Sequence, residues 1–337
     1  MHKAWLACCP NHVMFFFAVL FHGLVSSGAK TTVHLMRVDP LDMLPQQQLQ
    51  LKSDAEVPLH AHYVTNEYGH PSWLSQCRKI YLDVGSNIGV QIRKLFEPEK
   101  YPRAPILPVF DRIFGSATER ANQTNVCALG LEPNPLHTKR LAEVESNAVM
   151  HGWRVHFYPY AAWKVEGTMK LNMRLKDLQQ ISWNANLDEH CTSADCKTNA
   201  TVVRTIDLAK FIESLPADSV KLMKMDIEGA EYETVASMLQ AKTLCRGVVD
   251  MMLIESHNWG DITTWKDNRT YESLQRRVQD TDCQGRFEAS PTTMVQLDDE
   301  SYMHDDGREG DESPPEPSCE VHCWFSNILQ IIRDNVR

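Results

Sequence analysis

The segment KIYLDVGSNIG, residues 79–89, decides the interpretation of the chain, because it reads as a buried strand that carries an acid and stops in a glycine turn. In an open parallel sheet, ligands bind beyond the carboxyl ends of the strands. Glycines let the backbone approach a ligand there, and the N-terminus of the next helix offers N–H donors. The segment therefore predicts a ligand site lined by Asp83, Gly85, Ser86, Asn87 and Gly89.

The spacing of this turn argues against two common ligands. A phosphate loop needs G-x-x-x-x-G-K-[ST], and a dinucleotide site needs G-x-G-x-x-G; the turn from Gly85 to Gly89 matches neither pattern. Asp83 would also repel a pyrophosphate. S-adenosylmethionine suits the turn better, because it carries a sulfonium cation and an amino acid group and has no phosphate.

Carboxylates also end two other predicted strands. VCALGLEPNP, residues 126–135, ends its strand at Glu132, which would accept hydrogen bonds from both hydroxyls of a ribose; the alternative is an acid that starts the turn before Pro133. VKLMKMDIEGAEYETVASML, residues 220–239, places Asp226 and Glu228 before an amphipathic helix, where helix capping is the alternative role. Carboxylates that converge on one crevice are costly unless a ligand or a cation offsets them.

A further strand, in VVDMMLIESHNWG at residues 248–260, is followed by Glu255 and His257. Transfer of a methyl group to an alcohol requires that its proton be removed. The first candidate for that base is Asp226, with Glu228 or His257 behind it, although a lone histidine after a strand is more often structural. The spacing does not demand a metal, and no metal ligand is predicted; a divalent ion held by Asp226, Glu228 and the acceptor is the alternative.

Alternating strands and helices predict an α/β fold with a mostly parallel sheet covered on both faces. We predict strands at 80–84, 126–132, 153–158, 168–173, 201–205, 220–226 and 248–255, and helices at 88–96, 135–151, 207–214 and 230–241. Residues 97–125 contain four prolines and predict an insertion with limited regular structure. Residues 286–297 predict an antiparallel edge hairpin.

The N-terminus predicts export. Lys3 precedes an apolar stretch at 13–25, and the small residues Ser27 and Ala29 follow, so residues 1–29 read as a signal peptide, with an uncleaved membrane anchor as the alternative. Residues 30–76 read as a leader or stalk. We expect the secretory pathway, either secretion or retention in its lumen, and no other membrane span.

Cysteines and charge agree with that location. Eight cysteines follow the signal, an even count that favours disulfides over zinc, with close pairs in 191–196 and 319–323. Three sequons, at Asn122, Asn199 and Asn268, suggest glycosylated loops.

The net charge of −10 comes largely from residues 298–316, and no basic face is visible, so nucleic acid is not an expected partner. Residues 298–337 therefore read as a solvated acidic loop and tail, with calcium binding as the alternative for the loop.

The blocks IYLDVGSNIGVQ, LGLEPNP, TVVRTIDLAKFI and VKLMKMDIEGAE occur in an order that resembles the FkbM family of S-adenosylmethionine-dependent methyltransferases, over about residues 79–297. The resemblance implies a Rossmann-like, seven-stranded methyltransferase sheet and, because characterised members are mainly O-methyltransferases, transfer to oxygen. It implies that the glycine turn and Asp83 line the methionine side, that Glu132 holds the ribose, and that Asp226 and Glu228 lie near the methyl group and its acceptor. The insertion at 97–125 departs from the family pattern.

We therefore expect an O-methyltransferase of the secretory pathway that acts on a glycan or small-molecule hydroxyl. The alternative is a non-catalytic secreted or surface binding module that keeps the fold. A nucleotide-dependent oxidoreductase is less favoured, because G-x-G-x-x-G is missing.

Overall fold

The structure is a computed structural model, and it describes residues 67–172, 186–187, 200–257, 270–286, 288–297 and 299. The strands in these ranges are β1 Lys79–Val84, β2 Val126–Leu131, β3 Arg154–Tyr158, β4 Ala161–Trp163, β5 Gly167–Asn172, β6 Asn186–Leu187, β7 Ala200–Asp207, β8 Val220–Met225, β9 Met251–Ile254 and β10 Thr293–Gln296. The α-helices are α1 Val90–Phe96, α2 Leu107–Phe114, α3 Ala117–Asn122, α4 Thr138–Met150, α5 Leu208–Glu213, α6 Glu231–Gln240 and α7 Tyr271–Gln279. Short 3₁₀ helices span Ser72–Gln76 and Pro98–Lys100.

The central sheet has the strand order β10-β9-β8-β1-β2-β3, and every neighbouring pair is parallel. The chain runs from β1 outward to β2 and β3, and it later returns to place β8 on the other side of β1. The strand order therefore reverses beside β1, which is where ligands bind in open parallel sheets. Asp83 in β1 lies in register with Gly130 of β2 and with Lys224 of β8.

Apolar clusters cover both faces of this sheet. Along β1 the buried side chains alternate, so that Ile80, Leu82 and Val84 belong to one cluster and Tyr81 to the other. This arrangement confirms the predicted class, an α/β fold with a mostly parallel sheet.

A second sheet, ordered β4-β7-β5-β6, is mixed. β4 pairs with β7 in parallel, whereas β5 is antiparallel to both β7 and β6. The predicted strands at 168–173 and 201–205 belong to this smaller sheet and not to the central one. In β7 the exposed side chains of Val202 and Arg204 alternate with the buried side chains of Val203 and Thr205, which fits a sheet with one open face.

The antiparallel edge predicted for residues 286–297 is wrong within the described residues, because β10 pairs with β9 in parallel. The central sheet accordingly shows six parallel strands there, where the family resemblance implied seven. The connection from β9 to β10 carries α7, and a long crossover with a helix is the usual link between parallel strands. We did not predict α7, although Thr270 and Ser273 form a capping box at its start.

The insertion at 97–125 has more regular structure than its prolines suggested. It contains α2 and α3, and Phe110 and Phe114 of α2 are fully buried. A proline in the first turn is compatible with a helix, since its missing N–H has no intrahelical partner in any case. The Phe110 ring packs edge-on against Tyr81 at 5.0 Å, which fastens the insertion to β1.

Residues 67–76, which the sequence analysis assigned to the leader, pack against the core through the buried side chains of Tyr68 and Leu74. Within the described ranges, no helix combines the length and the apolar character needed to cross a bilayer. The predicted signal peptide or anchor, the rest of the leader and nearly all of the acidic tail lie outside those ranges.

The described residues contain two disulfides, as the cysteine count predicts. Cys77–Cys127 joins the segment before β1 to β2, and Cys245–Cys283 joins the loop after α6 to the loop after α7. The predicted close pairs in 191–196 and 319–323 lie outside the described residues.

Replacing Cys77 and Cys127 together with alanine is expected to lower the free energy of unfolding by about 2–5 kcal/mol. The bridge spans 50 residues, and its loss releases that loop in the unfolded chain. Urea denaturation of the wild type and the double variant measures the difference. Equal midpoints and slopes for the two proteins would show that the bridge does not stabilise the fold.

Candidate active site

Asp83 is the last residue but one of β1 and is fully buried. The Tyr81 hydroxyl donates a hydrogen bond of 3.5 Å to Asp83 Oδ1, whereas Asp83 Oδ2 has no hydrogen-bond partner among the described residues. Burial raises the pKa of Asp83 to about 6, against the stabilising charge of Lys224. The end of β1 thus holds a buried acceptor whose hydrogen-bonding capacity is not met by the described residues.

The turn after β1 needs glycine for a steric reason. Gly85 has φ +89°, and a Cβ on it would lie 1.8 Å from the carbonyl oxygen of Asp226. The N–H groups of Gly85 and Ser86 both donate to the carbonyl oxygen of Leu131 at 3.0 Å, so the turn is held between the ends of β2 and β8. Gly89 then starts α1 with φ +81°, and a Cβ there would lie 3.1 Å from the side chains of Leu141 and Phe157.

Ser86 and Asn87 have different roles in this turn. The buried Ser86 hydroxyl donates to the backbone carbonyl of Asp83 at 3.0 Å, which fixes the turn internally. Asn87 adopts φ +50°, a conformation that asparagine tolerates better than most residues. Its backbone N–H donates to Glu132, and its side-chain Oδ1 is buried without a hydrogen-bond partner among the described residues.

Glu132 links the glycine turn to the end of β2. Its Oε2 accepts the N–H of Asn87 at 2.7 Å, and its Oε1 accepts the N–H of Asn134 at 2.8 Å. Each carboxylate oxygen has a second lone pair and can accept a further bond from a ligand hydroxyl. Burial raises the pKa of Glu132 to about 8, because the two backbone N–H groups offset only part of the cost of burying a charge.

Asp226 lies beside this turn at the end of β8. Its N–H donates to the carbonyl oxygen of Val84 at 2.9 Å, and its Oδ2 accepts from Lys224 Nζ at 3.0 Å. The structure therefore brings Asp83, Glu132 and Asp226 to the ends of three adjacent strands; we call these three residues the carboxylate rim.

Lys224 is a buried residue of the site that the sequence analysis missed. Burial alone would lower its pKa, but the carboxylates of Asp226 and Asp83 raise the pKa above its ordinary value. Its signal in the sequence was the second of two lysines in the otherwise apolar strand VKLMKM. A charged residue at such a position requires an opposite charge nearby, and here the rim supplies it.

His257 is surrounded by three carboxylates. Its Nδ1 lies 2.9 Å from Glu231 Oε1, and its Nε2 lies 3.3 Å from Glu255 Oε1 and 3.8 Å from Glu228 Oε2. Burial alone would lower the pKa of His257, but the hydrogen bonds with Glu231 and Glu255 raise the pKa to about 11. An imidazolium cannot accept a proton, so this environment favours His257 as a charge partner over its predicted role as a base.

Glu231 and Glu228 complete this region. The fully buried Glu231 accepts the N–H groups of Ile227 and Gly229, both at 3.0 Å, and so holds the turn after β8. Helix capping was only the alternative role predicted for Asp226 and Glu228, and the sequence did not single out Glu231. Glu228 has φ +54°, and burial raises the pKa of its carboxyl to about 7.

A cavity of about 220 Å³ lies elsewhere, between α1 and α4, where its lining includes Arg93, Glu97 and Trp153. None of the predicted site residues lines it. The case for a ligand site at the sheet edge therefore rests on the carboxylate rim and the glycine turn, and not on this cavity.

The free energy of unfolding should fall as the pH rises from about 4 to about 8. The folded chain keeps Asp83, Glu228 and Glu132 protonated up to pKa values of about 6, 7 and 8, whereas the unfolded chain loses these protons near pH 4. Unfolding then releases protons, so each group lowers the free energy of unfolding by up to about 1.4 kcal/mol per pH unit inside its window. The imidazolium of His257 acts in the same direction above its ordinary pKa of about 6.5.

Urea denaturation across this range tests the effect, and Glu132→Gln should flatten the slope because glutamine has no proton to lose. Glu143→Gln is the matched control, since that side chain is about half exposed on α4. A slope equal in the wild type and Glu132→Gln would contradict the assignment to Glu132.

These features define a Rossmann-like α/β protein with carboxylates gathered at the sheet edge where the strand order reverses. Residues 83–277 match the model of the Methyltransferase FkbM domain. This match spans more than half of the chain, and the protein belongs to the FkbM methyltransferase family.

A crystal structure of methyltransferase FkbM from Methylobacillus flagellatus KT is similar to part of the chain. The two are 14% identical, with a TM-score of 0.27, over 50% of this chain and 30% of that chain. This chain thus matches less than one third of that protein. No curated protein matches the chain.

Proposed function

We propose that the protein is an S-adenosylmethionine-dependent O-methyltransferase that modifies a hydroxyl group of a glycan or a small molecule. The observation that carries this proposal is the carboxylate rim, because three strand ends present acids around a turn that only glycine can make. Family membership supports methyl transfer, and the cofactor and the oxygen acceptor are our additions.

The residues fit S-adenosylmethionine. Asp83 Oδ2 and Asn87 Oδ1 are buried acceptors without a hydrogen-bond partner among the described residues, and an α-ammonium group is a donor of the kind they need. Glu132 can accept the ribose hydroxyls through its remaining lone pairs. The acids of the rim also suit a ligand that carries a positive sulfonium.

Asp226 is the proposed base. When bound, the cofactor supplies an electrophilic methyl group. The Asp226 side chain is about one quarter exposed, so an acceptor can reach it, while the bond from Lys224 fixes its orientation. The Asp226 carboxylate would take the proton of the acceptor hydroxyl, so that its oxygen can accept the methyl group that a bound cofactor would supply as its methyl–sulfur bond breaks. Glu228, on the same turn, is the second candidate.

The secretory pathway is the proposed location. Two disulfides support an oxidising compartment, and the N-terminal segment reads as a signal. The sequon residue Asn122 is exposed on the surface, which is compatible with a glycan there. Asn199 and Asn268 lie outside the described residues. An enzyme in this compartment depends on cofactor imported from the cytosol.

Calorimetry and methyl transfer test the proposal together. S-adenosylhomocysteine should bind to the purified protein, and NAD should not. Labelled methyl groups should then pass to one of three extract pools, separated into glycans, lipids and small molecules. Binding without transfer to any pool would favour the non-catalytic module, and binding of NAD alone would overturn the assignment to methyl transfer.

A further inference from the structure

A mixed cluster of ligand-type side chains lies next to the proposed base. One ligand atom from each of Asp226, Glu228 and His257 lies within 4.8 Å of the others; we call these three residues the His257 cluster. Protein ligands lie about 2.0–2.4 Å from a divalent cation, so two ligands of one ion are at most about 4.8 Å apart. The spacing of these three ligand atoms is therefore compatible with a single ion between them.

The orientation of the imidazole is that of a metal ligand. Glu231 holds Nδ1 at 2.9 Å, which turns Nε2 toward Glu228 and Glu255. Histidines that bind metals commonly give their other ring nitrogen to a carboxylate in this way. Glu231 is itself fully buried and fixed by two backbone N–H groups, so it positions the ring and does not belong to the His257 cluster.

The chemistry of the surrounding charges also suits a cation. Several carboxylates meet within a small, partly buried region: Asp226, Glu228, Glu231 and Glu255. The cationic side chains of His257 and Lys224 contact them. Like charges in such a region are costly, and a divalent ion offsets more of that cost than one proton on an imidazole does.

We propose that the His257 cluster binds a divalent cation of the Mn²⁺ type. Carboxylate oxygens suit Mn²⁺, Mg²⁺ and Ca²⁺, and the imidazole favours a transition metal among them. On binding, the proton on His257 Nε2 leaves to solvent and its electron pair goes to the ion, while the proton on Nδ1 stays with Glu231. The ion's role in catalysis rests on the proposed function: an ion held in part by Asp226 would lie next to the acceptor hydroxyl and lower its pKa.

Direct titration tests the site without any turnover. The full chain is stripped with EDTA and titrated with Mn²⁺, and electron paramagnetic resonance reports the free ion. We expect one ion per chain. Glu228→Gln and His257→Gln should each weaken binding by at least about ten-fold, and the positioning variant Glu231→Gln by about 10- to 100-fold. Glu143→Gln, which removes an exposed acid on α4, should leave binding unchanged.

The same preparations separate this proposal from the proposed function. Circular dichroism selects folded variants, and Glu228→Gln is a mild one because its side chain is partly exposed. S-adenosylhomocysteine binding without Mn²⁺ binding overturns the cation site and leaves methyl transfer standing. The cation site is also overturned if Glu228→Gln, His257→Gln and Glu231→Gln all leave Mn²⁺ binding unchanged. If the protein binds Mn²⁺ through the cluster but does not bind S-adenosylhomocysteine, the cation site is supported and the proposed function is contradicted.

Discussion

Asp226→Asn is expected to lower the rate of methyl transfer by about 10²- to 10⁴-fold and to leave S-adenosylhomocysteine binding nearly unchanged. Asparagine keeps the shape of aspartate and an oxygen that can accept the bond from Lys224 Nζ, which is 3.0 Å in the wild type. It lacks the carboxylate that would take the acceptor's proton. Labelled-methyl transfer to the extract pool that the wild type modifies measures the rate, and calorimetry measures binding.

Asp218→Asn is the matched control for this substitution. Asp218 lies in the turn before β8, at the opposite end of the strand from Asp226, and asparagine tolerates its φ of +53°. Its substitution should leave the rate unaltered. If Asp226→Asn transfers methyl groups as fast as the wild type, Asp226 is not the base, and Glu228→Gln becomes the variant to measure.

Gly85→Ala is expected to abolish detectable S-adenosylhomocysteine binding and to destabilise the fold. An alanine Cβ would overlap the carbonyl oxygen of Asp226, and backbone at that position cannot withdraw as a flexible side chain can. The positive φ adds a cost of about 1–2 kcal/mol for any residue with a Cβ. Relief of the overlap must move the turn away from β8, which separates Asp83 and Asn87 from Asp226. Calorimetry and urea denaturation measure the two effects.

Gly152→Ala isolates the steric part of this effect. Gly152 has a similar positive φ of +76°, and no atom lies within 4 Å of where its Cβ would be. Gly152→Ala should lower the free energy of unfolding only by the conformational cost of a positive φ, about 1–2 kcal/mol, and it should bind S-adenosylhomocysteine like the wild type. Equal losses of stability for the two variants, with binding retained in both, would show that the turn does not need the close approach to β8.

The strands that form the site could be predicted closely from the sequence. Predicted strands 80–84, 126–132 and 220–226 correspond to β1, β2 and β8, because each is an apolar run that an acid and a turn interrupt. Parallel strands present these ends at one edge, so the proximity of Asp83, Glu132 and Asp226 followed from the pattern alone.

Other features depend on contacts between residues that are distant in the sequence, and the local sequence does not specify these contacts. The strand predicted at 248–255 is shortened to Met251–Ile254, because the N–H groups of Val248 and Val249 turn back to the carbonyl of Cys245. The pairings Cys77–Cys127 and Cys245–Cys283 cannot be read from spacing. The roles of Lys224 and Glu231 appear only when β8, α6 and the segment after β9 are folded together.

The packing of the insertion against β1 has a consequence for Asp83. Phe110 of α2 contacts Tyr81, and the Tyr81 hydroxyl in turn reaches Asp83. Residues 97–125 are thereby joined, through the Tyr81 ring, to the buried acid near the end of β1. Substitutions in this segment that shift Phe110 would therefore reach Asp83 without changing any residue of the proposed ligand site.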